Sequence, residues 1–300
     1  MIEPPDSTHR PAYTGRFAPS PTGKLHQGSL LAALASYLDA RHHQGRWLVR
    51  MEDLDPPREQ PGAATAILQS LEAHGLFWDG PVLFQSQRLD DYQEILNQLQ
   101  QQGLTYPCNC NRQRMKNLNG IYDGHCRTFP ADRPPFATRL CTEDRDIRFD
   151  DLFQGPQQQN LAREVGDFVI HRKDGLFAYQ LAVSVDDTHQ NISHVIRGCD
   201  LLDSTPRQLR LFELLNTEPP TYGHLPVIVN SEGQKLSKQT FAKPLDNRTA
   251  ADNLLLALKQ LGIPAPGDLI GADCNTLLLW ATPHWQRAKV PQGQTIAAQS

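Results

Sequence analysis

The run Arg16-Phe17-Ala18-Pro19-Ser20-Pro21-Thr22-Gly23 and the nearby His26-Gln27-Gly28-Ser29 have the residue types of a phosphate-binding loop. An apolar run before the prolines predicts a strand, and leucines at helical spacing after Ser29 predict a helix. The first N–H groups of a helix have no partner within it and favour an anion, to which His26 could also donate. The same pattern also fits an ordinary turn between a strand and a helix.

A second loop of this kind, Gly233-Gln234-Lys235-Leu236-Ser237-Lys238, follows a strand-like segment that ends at Val229. Its two lysines, Lys235 and Lys238, could hold a triphosphate as point charges. A solvated surface turn would have the same composition, so the loop is informative only together with the first motif.

Three cysteines have a spacing that suits a metal ion. Cys108 and Cys110 are separated by one residue, and Cys126 follows after fifteen more. This pattern favours a tetrahedral zinc site, although buried free cysteines would fit it too. For the fourth ligand, His125 has the commoner chemistry but is adjacent to Cys126. Tyr122 is better spaced, although a phenol with an ordinary pKa of about 10 is an unusual ligand.

Three further polar residues lie in or directly after apolar runs that read as strands. Glu52 and Arg197 each follow such a run, and a charged loop or a surface arginine would fit these positions equally well. Tyr179 lies within the run 176–183, which is predicted to pair with 165–171 as a hairpin around Lys173-Asp174-Gly175. A tyrosine in a strand is more often part of the core.

The elements that must position these residues alternate between strand and helix up to about residue 105, which predicts an α/β fold with a parallel sheet. The composition then changes, and strand and helix patterns return near residue 190. The predicted regions are a flexible N-terminus (1–13), two halves of one α/β domain (14–105 and 190–240), an inserted zinc module with a hairpin (106–189) and a helical C-terminal region with a frayed tail (241–300).

The composition excludes several classes of protein. A net charge of −4 over 300 residues excludes a uniformly basic nucleic-acid binder, so any RNA contact needs a local patch. Such a patch is predicted between Gln101 and Arg139, where six lysines or arginines stand against two acids. The chain has no apolar run of membrane-spanning length and no signal-peptide pattern, and its clustered cysteines favour a reducing compartment. We therefore expect a cytoplasmic protein.

The early His-x-Gly-Ser and the late Lys-Leu-Ser-Lys resemble the two signature sequences of class I aminoacyl-tRNA synthetases. The run from Arg16 to Gly23 resembles the opening of glutamyl-tRNA synthetases. The resemblance covers about residues 14–244. It implies a Rossmann-like class I catalytic domain with an inserted zinc module and a small C-terminal helical region.

The resemblance also implies roles for individual residues. Catalysis is assigned to His26, Lys235 and Lys238, and ATP with magnesium to His26, Gly28, Ser29 and Lys238. The implied glutamate-binding residues are Arg16, Phe17, Ala18, Pro19, Ser20, Glu52, Tyr179 and Arg197. A structural zinc ion is assigned to Cys108, Cys110, Tyr122 and Cys126, because Cys-x-Cys followed by Tyr-x-x-x-Cys matches a shortened branch of the family.

Only about sixty residues follow Lys238, which is too few for the large helical anticodon-binding domain of glutamyl-tRNA synthetases. The shortened branch therefore implies a monomer that activates glutamate without tRNA and transfers it to queuosine in the anticodon arm of tRNA(Asp). The alternatives are a truncated synthetase that charges a tRNA 3′ end, a small-molecule nucleotidyltransferase, and a catalytically silent protein that binds zinc and RNA. A nucleotidyltransferase would be expected to carry His-x-Gly-His, and this chain lacks the second histidine.

Overall fold

The structure is a computed structural model that describes residues 13–230, 232–233 and 243–297. Its strands are β1 (Thr14–Phe17), β2 (Arg46–Met51), β3 (Leu83–Phe84), β4 (Thr105–Cys108), β5 (Ala137–Leu140), β6 (Asp146–Asp151), β7 (Gly155–Asn160), β8 (Phe168–His171), β9 (His194–Gly198), β10 (Thr221–Leu225), β11 (Val227–Val229) and β12 (Thr295–Ala297). Its helices are α1 (Gln27–His42), α2 (Ala63–Ala73), α3 (Leu89–Gln101), α4 (Arg112–Asn117), α5 (His125–Thr128), α6 (Leu161–Glu164), α7 (Tyr179–His189), α8 (Thr205–Leu214), α9 (Ala250–Gln260) and α10 (Cys274–His284). Within these ranges, no helix combines the length and apolarity needed to cross a membrane.

A parallel sheet of five strands, in the order β10-β9-β1-β2-β3, forms the centre of the fold. Strand β1 is buried at every position and pairs with β2 and with β9. Because the strands are parallel, their carboxyl ends lie at one edge of the sheet, where α/β folds bind ligands. This edge brings together Phe17, Met51, Gly198 and Leu225, which come from both halves of the predicted α/β domain.

Helix α1 contacts the sheet and also helices α9 and α10. Its leucines at helical spacing, Leu30, Leu34 and Leu38, are buried in one apolar core with Leu254 and Leu258 of α9. The C-terminal helices therefore complete the core of the central α/β fold, because the face of α1 that they cover would otherwise be exposed apolar surface.

The chain between α3 and β9 forms an antiparallel sheet, β4-β5-β8, and a separate hairpin of β6 and β7. The hairpin predicted for 165–183 was wrong in its second half. Only Phe177 pairs, through an isolated bridge to His171, and Tyr179 begins helix α7. Every residue from Gln180 to Asp187 is buried, so this helix lacks the one-sided apolar periodicity by which helices are recognised.

Two predictions about the chain ends also need correction. Tyr13 was assigned to a flexible N-terminus, but it is buried and donates a 2.5 Å hydrogen bond to the fully buried Asp39. Trp285 and Arg287 donate to the same carboxylate, at 2.7–2.8 Å. The tail was predicted to be frayed, yet its segment Thr295–Ala297 pairs with β11 as β12. Residues 1–12 and 298–300 lie outside the described part of the chain.

Candidate active site

A cleft of about 480 Å³ opens at the carboxyl edge of the central sheet. It is lined by four polar residues singled out from the sequence, namely Arg16, Glu52, Tyr179 and Arg197. Phe17, Ala18 and Ser20 line it as well. Pro19 contributes its backbone, because its carbonyl oxygen accepts a 2.9 Å hydrogen bond from the Glu52 N–H. The two segments that carry Pro19 and Glu52 are thereby fixed against each other at the ends of β1 and β2.

Arg16 is held from behind by a buried carboxylate. Its Nε and Nη2 atoms donate to the two oxygens of Asp187 at 3.2 and 3.1 Å, and Arg50 Nη2 donates to the same carboxylate at 2.6 Å. Burial opposes ionisation of Asp187, but Arg16 and Arg50 outweigh it and keep the pKa of Asp187 below its ordinary value. The two arginines and the aspartate therefore form a fixed array of charges beneath the cleft.

Glu52 is a buried carboxylate with unused hydrogen-bonding capacity. Its Oε1 has no hydrogen-bond partner within the described residues, and the nearest cation, Arg50 Nη2, is 3.7 Å away. Burial raises the pKa of Glu52 to about 7, and the nearby Arg50 and Arg16 only partly offset that rise. A buried acceptor without a donor is costly, so this oxygen is suited to a donor or cation brought in by a ligand.

Arg197 enters the cleft from the end of β9. Its Nη1 atom donates to Tyr179 Oη at 3.2 Å, and its Nη2 atom donates to Thr205 Oγ1 at 2.9 Å and to the Leu201 carbonyl at 3.2 Å. Its Nε atom donates to His224 at 2.9 Å. Arg197 and Tyr179 thus form one unit, although they come from a strand and from the first turn of a helix.

A smaller pocket of about 180 Å³ meets the cleft at Ala32 and Gly198 and surrounds the N-terminus of α1. Gly28 and Ser29 form the first turn of α1 and line the pocket with His26. His26 is the N-cap of the helix, and its Nδ1 accepts a 3.3 Å hydrogen bond from the Ser29 N–H. Lys235 and Lys238, the other predicted catalytic residues, lie outside the described part of the chain.

The three clustered cysteines lie in the antiparallel module. Cys108 ends β4, Cys110 follows it, and Cys126 lies in α5; their Sγ atoms are all within 4.8 Å of one another, so the cluster could hold a metal ion. Burial opposes formation of a thiolate at Cys108, but the charge of Arg139, its 3.2 Å hydrogen bond from Nε and the hydrogen bonds with Tyr122 and the Cys110 backbone together outweigh burial and lower the pKa to about 7. A deprotonated thiol is the form that binds zinc.

Tyr122, rather than His125, points into this cluster. The Tyr122 Oη atom lies 3.6 Å from the Sγ atoms of both Cys108 and Cys110, and it accepts a 2.9 Å hydrogen bond from the Cys126 N–H. His125 is exposed, with its ring beside Phe129. Burial and the neighbouring thiols raise the pKa of the Tyr122 phenol, so a cation within the cluster would be needed to displace its proton.

A basic groove of about 870 Å³ continues from the cleft along the cysteine module, and the two share Asp55, Arg58 and Arg172. The cations that line the groove are Arg58, Arg112, Lys116, Arg139, Arg172 and Lys173, against the acids Asp55 and Asp174. Arg112, Lys116 and Arg139 come from the segment whose positive charge was noted in the sequence. Arg139 is buried, and Arg58 and Arg172 pair with Asp55 and Asp174, so the positive charge that the groove offers to an anionic polymer comes mainly from Arg112, Lys116 and Lys173.

Sequence reasoning missed the residues that support the cleft from behind, chiefly Arg50, Asp187 and His224. One signal was present for Asp187, because two acids, Asp186 and Asp187, directly follow the largely apolar run 181–185. Buried acids are rarely tolerated without cationic partners, so that pair could have been matched to buried arginines. Nothing in the local sequence around His224 distinguishes it from an ordinary strand residue.

The family model described as "tRNA synthetases class I (E and Q), catalytic domain" matches residues 13–258. The chain belongs to this family. Membership accounts for the parallel α/β sheet, confirms the resemblance seen in the two signature loops, and identifies the protein as a ligase.

Individual relatives agree with the family. The chain is 53% identical to the glutamyl-Q tRNA(Asp) synthetase of Pseudomonas fluorescens over 285 residues, which are 95% of this chain and 96% of that protein. It is 55% identical to the protein of the same name from Thiobacillus denitrificans over 293 residues, with 95% and 97% covered. Among solved structures, a glutamate tRNA ligase from Elizabethkingia meningosepticum in complex with its amino acid matches with a TM-score of 0.78 at 25% identity, covering 95% of this chain and 67% of that one.

Proposed function

We propose that this chain activates glutamate with ATP and transfers it to queuosine in the anticodon loop of tRNA(Asp). The relatives at 50–55% identity are named glutamyl-Q tRNA(Asp) synthetases, which supports this proposal. The observation that carries the proposal is the cleft itself, where two arginines stand near a buried carboxylate oxygen that lacks a donor. That arrangement matches an amino acid with one ammonium group and a carboxylate side chain.

In this assignment, Arg16 and Arg197 hold the side-chain carboxylate of glutamate, and Glu52 and Tyr179 contact its α-amino end. Asp187 takes two of the five N–H donors of Arg16, and protein groups take four of the five donors of Arg197. Each contributes its remaining donors, in positions fixed before the substrate arrives. Glutamine would leave buried guanidinium donors facing an amide N–H₂, which explains selectivity for glutamate.

Activation needs positioning more than covalent help from the protein. An α-carboxylate oxygen of glutamate attacks the α-phosphorus of ATP, the bond to the β-phosphate oxygen breaks, and pyrophosphate leaves. His26, Gly28 and Ser29 at the N-terminus of α1 stabilise the phosphate charge, with Lys235 and Lys238 assigned to the departing pyrophosphate. Magnesium would enter the site with ATP and would supply positive charge to its phosphates.

In the second step, the oxygen of a ring hydroxyl of queuosine attacks the activated carbonyl carbon. The bond from that carbon to the phosphate oxygen breaks, AMP leaves, and the hydroxyl proton is released to water. The basic groove beside the cleft is assigned to the phosphates of the anticodon arm, because it reaches the cleft at Arg58 and Arg172. An anticodon loop presents unstacked bases, which a cleft can receive without opening a duplex.

Zinc is proposed as a structural ion held by Cys108, Cys110, Tyr122 and Cys126. The donor set fits, because three sulfur atoms and one phenol oxygen converge and the Cys126 N–H already points at that oxygen. Four protein ligands leave no open position for a reactive water, so the ion would hold the module together rather than take part in catalysis.

Labelled-substrate assays test the proposed function. ATP–pyrophosphate exchange should depend on glutamate and proceed without tRNA. Label from glutamate should appear on tRNA(Asp) that contains queuosine, and not on the same tRNA with guanosine at that position, with nuclease mapping locating it in the anticodon loop.

Each of the other outcomes supports a different function. Label at the 3′-terminal adenosine of a glutamate tRNA would indicate a truncated glutamyl-tRNA synthetase. Exchange that requires a substrate other than glutamate would indicate a small-molecule nucleotidyltransferase. The complete absence of exchange would leave a protein that binds zinc and RNA without catalysis.

A further inference from the structure

We propose that His224, itself oriented by Asp151, is a positioning residue that aims Arg197 into the glutamate cleft. His224 lies on β10 and Asp151 ends β6, and the side chains of both are completely buried. His224 Nδ1 is 2.5 Å from Asp151 Oδ2, and its Nε2 is 2.9 Å from Arg197 Nε. Neither His224 nor Asp151 lines the cleft, so both act only through Arg197.

The chemistry of these contacts fixes the protonation of His224. The guanidinium of Arg197 can only donate, so the Nε2 atom of His224 must accept and carries no proton. The proton therefore sits on Nδ1 and is donated to Asp151, which orients the ring and selects the tautomer as carboxylates do for histidine ligands of metals. A ring with the opposite tautomer would turn an N–H toward Arg197 and break the contact.

Asp151 is in turn held by the backbone. Its Oδ1 atom accepts hydrogen bonds from the N–H groups of Phe153, Gln154 and His224, each at 3.0 Å. Burial opposes ionisation of Asp151, but its bond to His224 and these backbone donors outweigh burial and keep its pKa below the ordinary value. The turn after β6 therefore fixes Asp151, Asp151 orients the ring of His224, and His224 orients the guanidinium of Arg197.

The consequence for the substrate follows from the donor count of arginine. A guanidinium has five N–H donors, and within the described residues four of those of Arg197 go to His224, Tyr179, Thr205 and Leu201. One N–H of Nη1 is left for a ligand, and its direction depends on the other four. Loss of the Nε contact removes one of the four anchors that orient the planar group, so the cost should fall on glutamate binding and not on ATP binding.

The inference rests on the proposed function, in which Arg197 contacts the substrate carboxylate. The test measures ATP–pyrophosphate exchange in the full-length chain, with KM for glutamate and for ATP determined separately. His224→Leu removes the acceptor, whereas His224→Gln retains one. The matched control is His74→Leu, which removes another fully buried histidine, one that contacts Ser70 and Asn253 rather than the cleft.

His224→Leu should raise KM for glutamate at least about tenfold, because a misaimed Arg197 loses its hydrogen bond to the glutamate carboxylate. One hydrogen bond to a charged group is worth about that factor. KM for ATP and kcat should stay within about threefold of the wild-type values. His224→Gln should recover most of the loss, and His74→Leu should lower the melting temperature without changing KM for glutamate. On an Arg197→Ala background, His224→Leu should have no further effect on that KM.

An unchanged KM for glutamate in a folded His224→Leu variant, beside an active wild-type enzyme, would overturn the positioning role alone. Equal losses in KM for glutamate and for ATP would also overturn it, because they indicate general damage. If His224→Leu does not fold, Asp151→Asn provides the same test, because it frees the tautomer and should raise KM for glutamate alone. Absence of glutamate-dependent exchange in the wild type would overturn the proposed function and this role with it.

Discussion

Replacing Tyr122 with phenylalanine should weaken zinc binding, whereas replacing His125 with alanine should not. A tetrahedral zinc ion with Zn–S bonds of about 2.3 Å separates its sulfur ligands by about 3.8 Å. One sulfur pair approaches this value, and all three Sγ atoms lie within 4.8 Å of one another. The Sγ atoms of Cys110 and Cys126 are 3.6 Å apart, and Tyr122 Oη is 3.6 Å from both Cys108 and Cys110. On this geometry we assign Tyr122 as the fourth ligand of the proposed zinc site.

The expected magnitude follows from zinc-binding energies. Structural zinc sites bind with about 10–16 kcal/mol at neutral pH, which is roughly 3 kcal/mol for each of four ligands. Loss of one ligand should weaken zinc binding by on the order of a hundredfold or more. Phenylalanine keeps the ring beneath the Arg139 guanidinium, whose centre is 3.8 Å from the ring centroid. The substitution thus removes the oxygen while preserving the packing.

The assay is competition for zinc with a chromophoric chelator, together with metal content of the purified protein. Wild type and His125→Ala should each retain one zinc ion per chain, Tyr122→Phe should lose it to the chelator at much lower concentrations, and Cys126→Ser should do the same. Equal affinities of Tyr122→Phe and wild type, or a loss confined to His125→Ala, would refute the assignment of the fourth ligand. Zinc-free wild-type protein would refute the site altogether.

Three further predictions concern the active site and the core. Burial raises the pKa of Glu52 to about 7, so Glu52 loses its charge as the pH falls below 7. Below that pH, kcat/KM for glutamate should therefore drop by up to about tenfold per pH unit. A flat profile from pH 8 to 6 would contradict the proposed contact of Glu52 with the substrate ammonium group. Lys238→Ala should slow adenylate formation by on the order of a hundredfold, about 3 kcal/mol, with little change in glutamate binding, as single-turnover kinetics can measure. Arg287→Ala removes the arginine that pairs with the buried Asp39 and should lower the free energy of unfolding, measured by urea titration, by about 3 kcal/mol. A decrease below about 1 kcal/mol would show that the hydrogen bonds from Tyr13 and Trp285 are enough to stabilise the Asp39 carboxylate.

The sequence was most informative where chemistry depends on neighbours in the chain. The loop from Arg16 to Gly23, the helix that starts at Gln27 and the cysteine spacing are local patterns, and the structure contains the predicted strand, helix and cluster. Helix α7 was mistaken for a strand, because burial on nearly every side removes the polar face that marks a helix. The strand β12 was missed because its partner β11 lies more than sixty residues earlier. Pairing over such distances leaves no local pattern.

The supporting residues of the cleft were unpredictable for the same reason, and they explain why its arginines do not behave as ordinary surface charges. Arg16 meets Asp187 only because β1 and α7 pack at the same sheet edge, and Arg197 meets His224 only because β9 and β10 are adjacent. Two arginines left unpaired in a buried cleft would be strongly disfavoured without substrate. Partial pairing with Asp187, His224 and Tyr179 removes most of that cost while leaving a few donors for the ligand. The cleft is thus preorganised, and under the proposed function glutamate binding needs little rearrangement of charge. An arginine-to-lysine change at either position should be poorly tolerated, because a single ammonium cannot contact both the protein partners and the proposed substrate carboxylate.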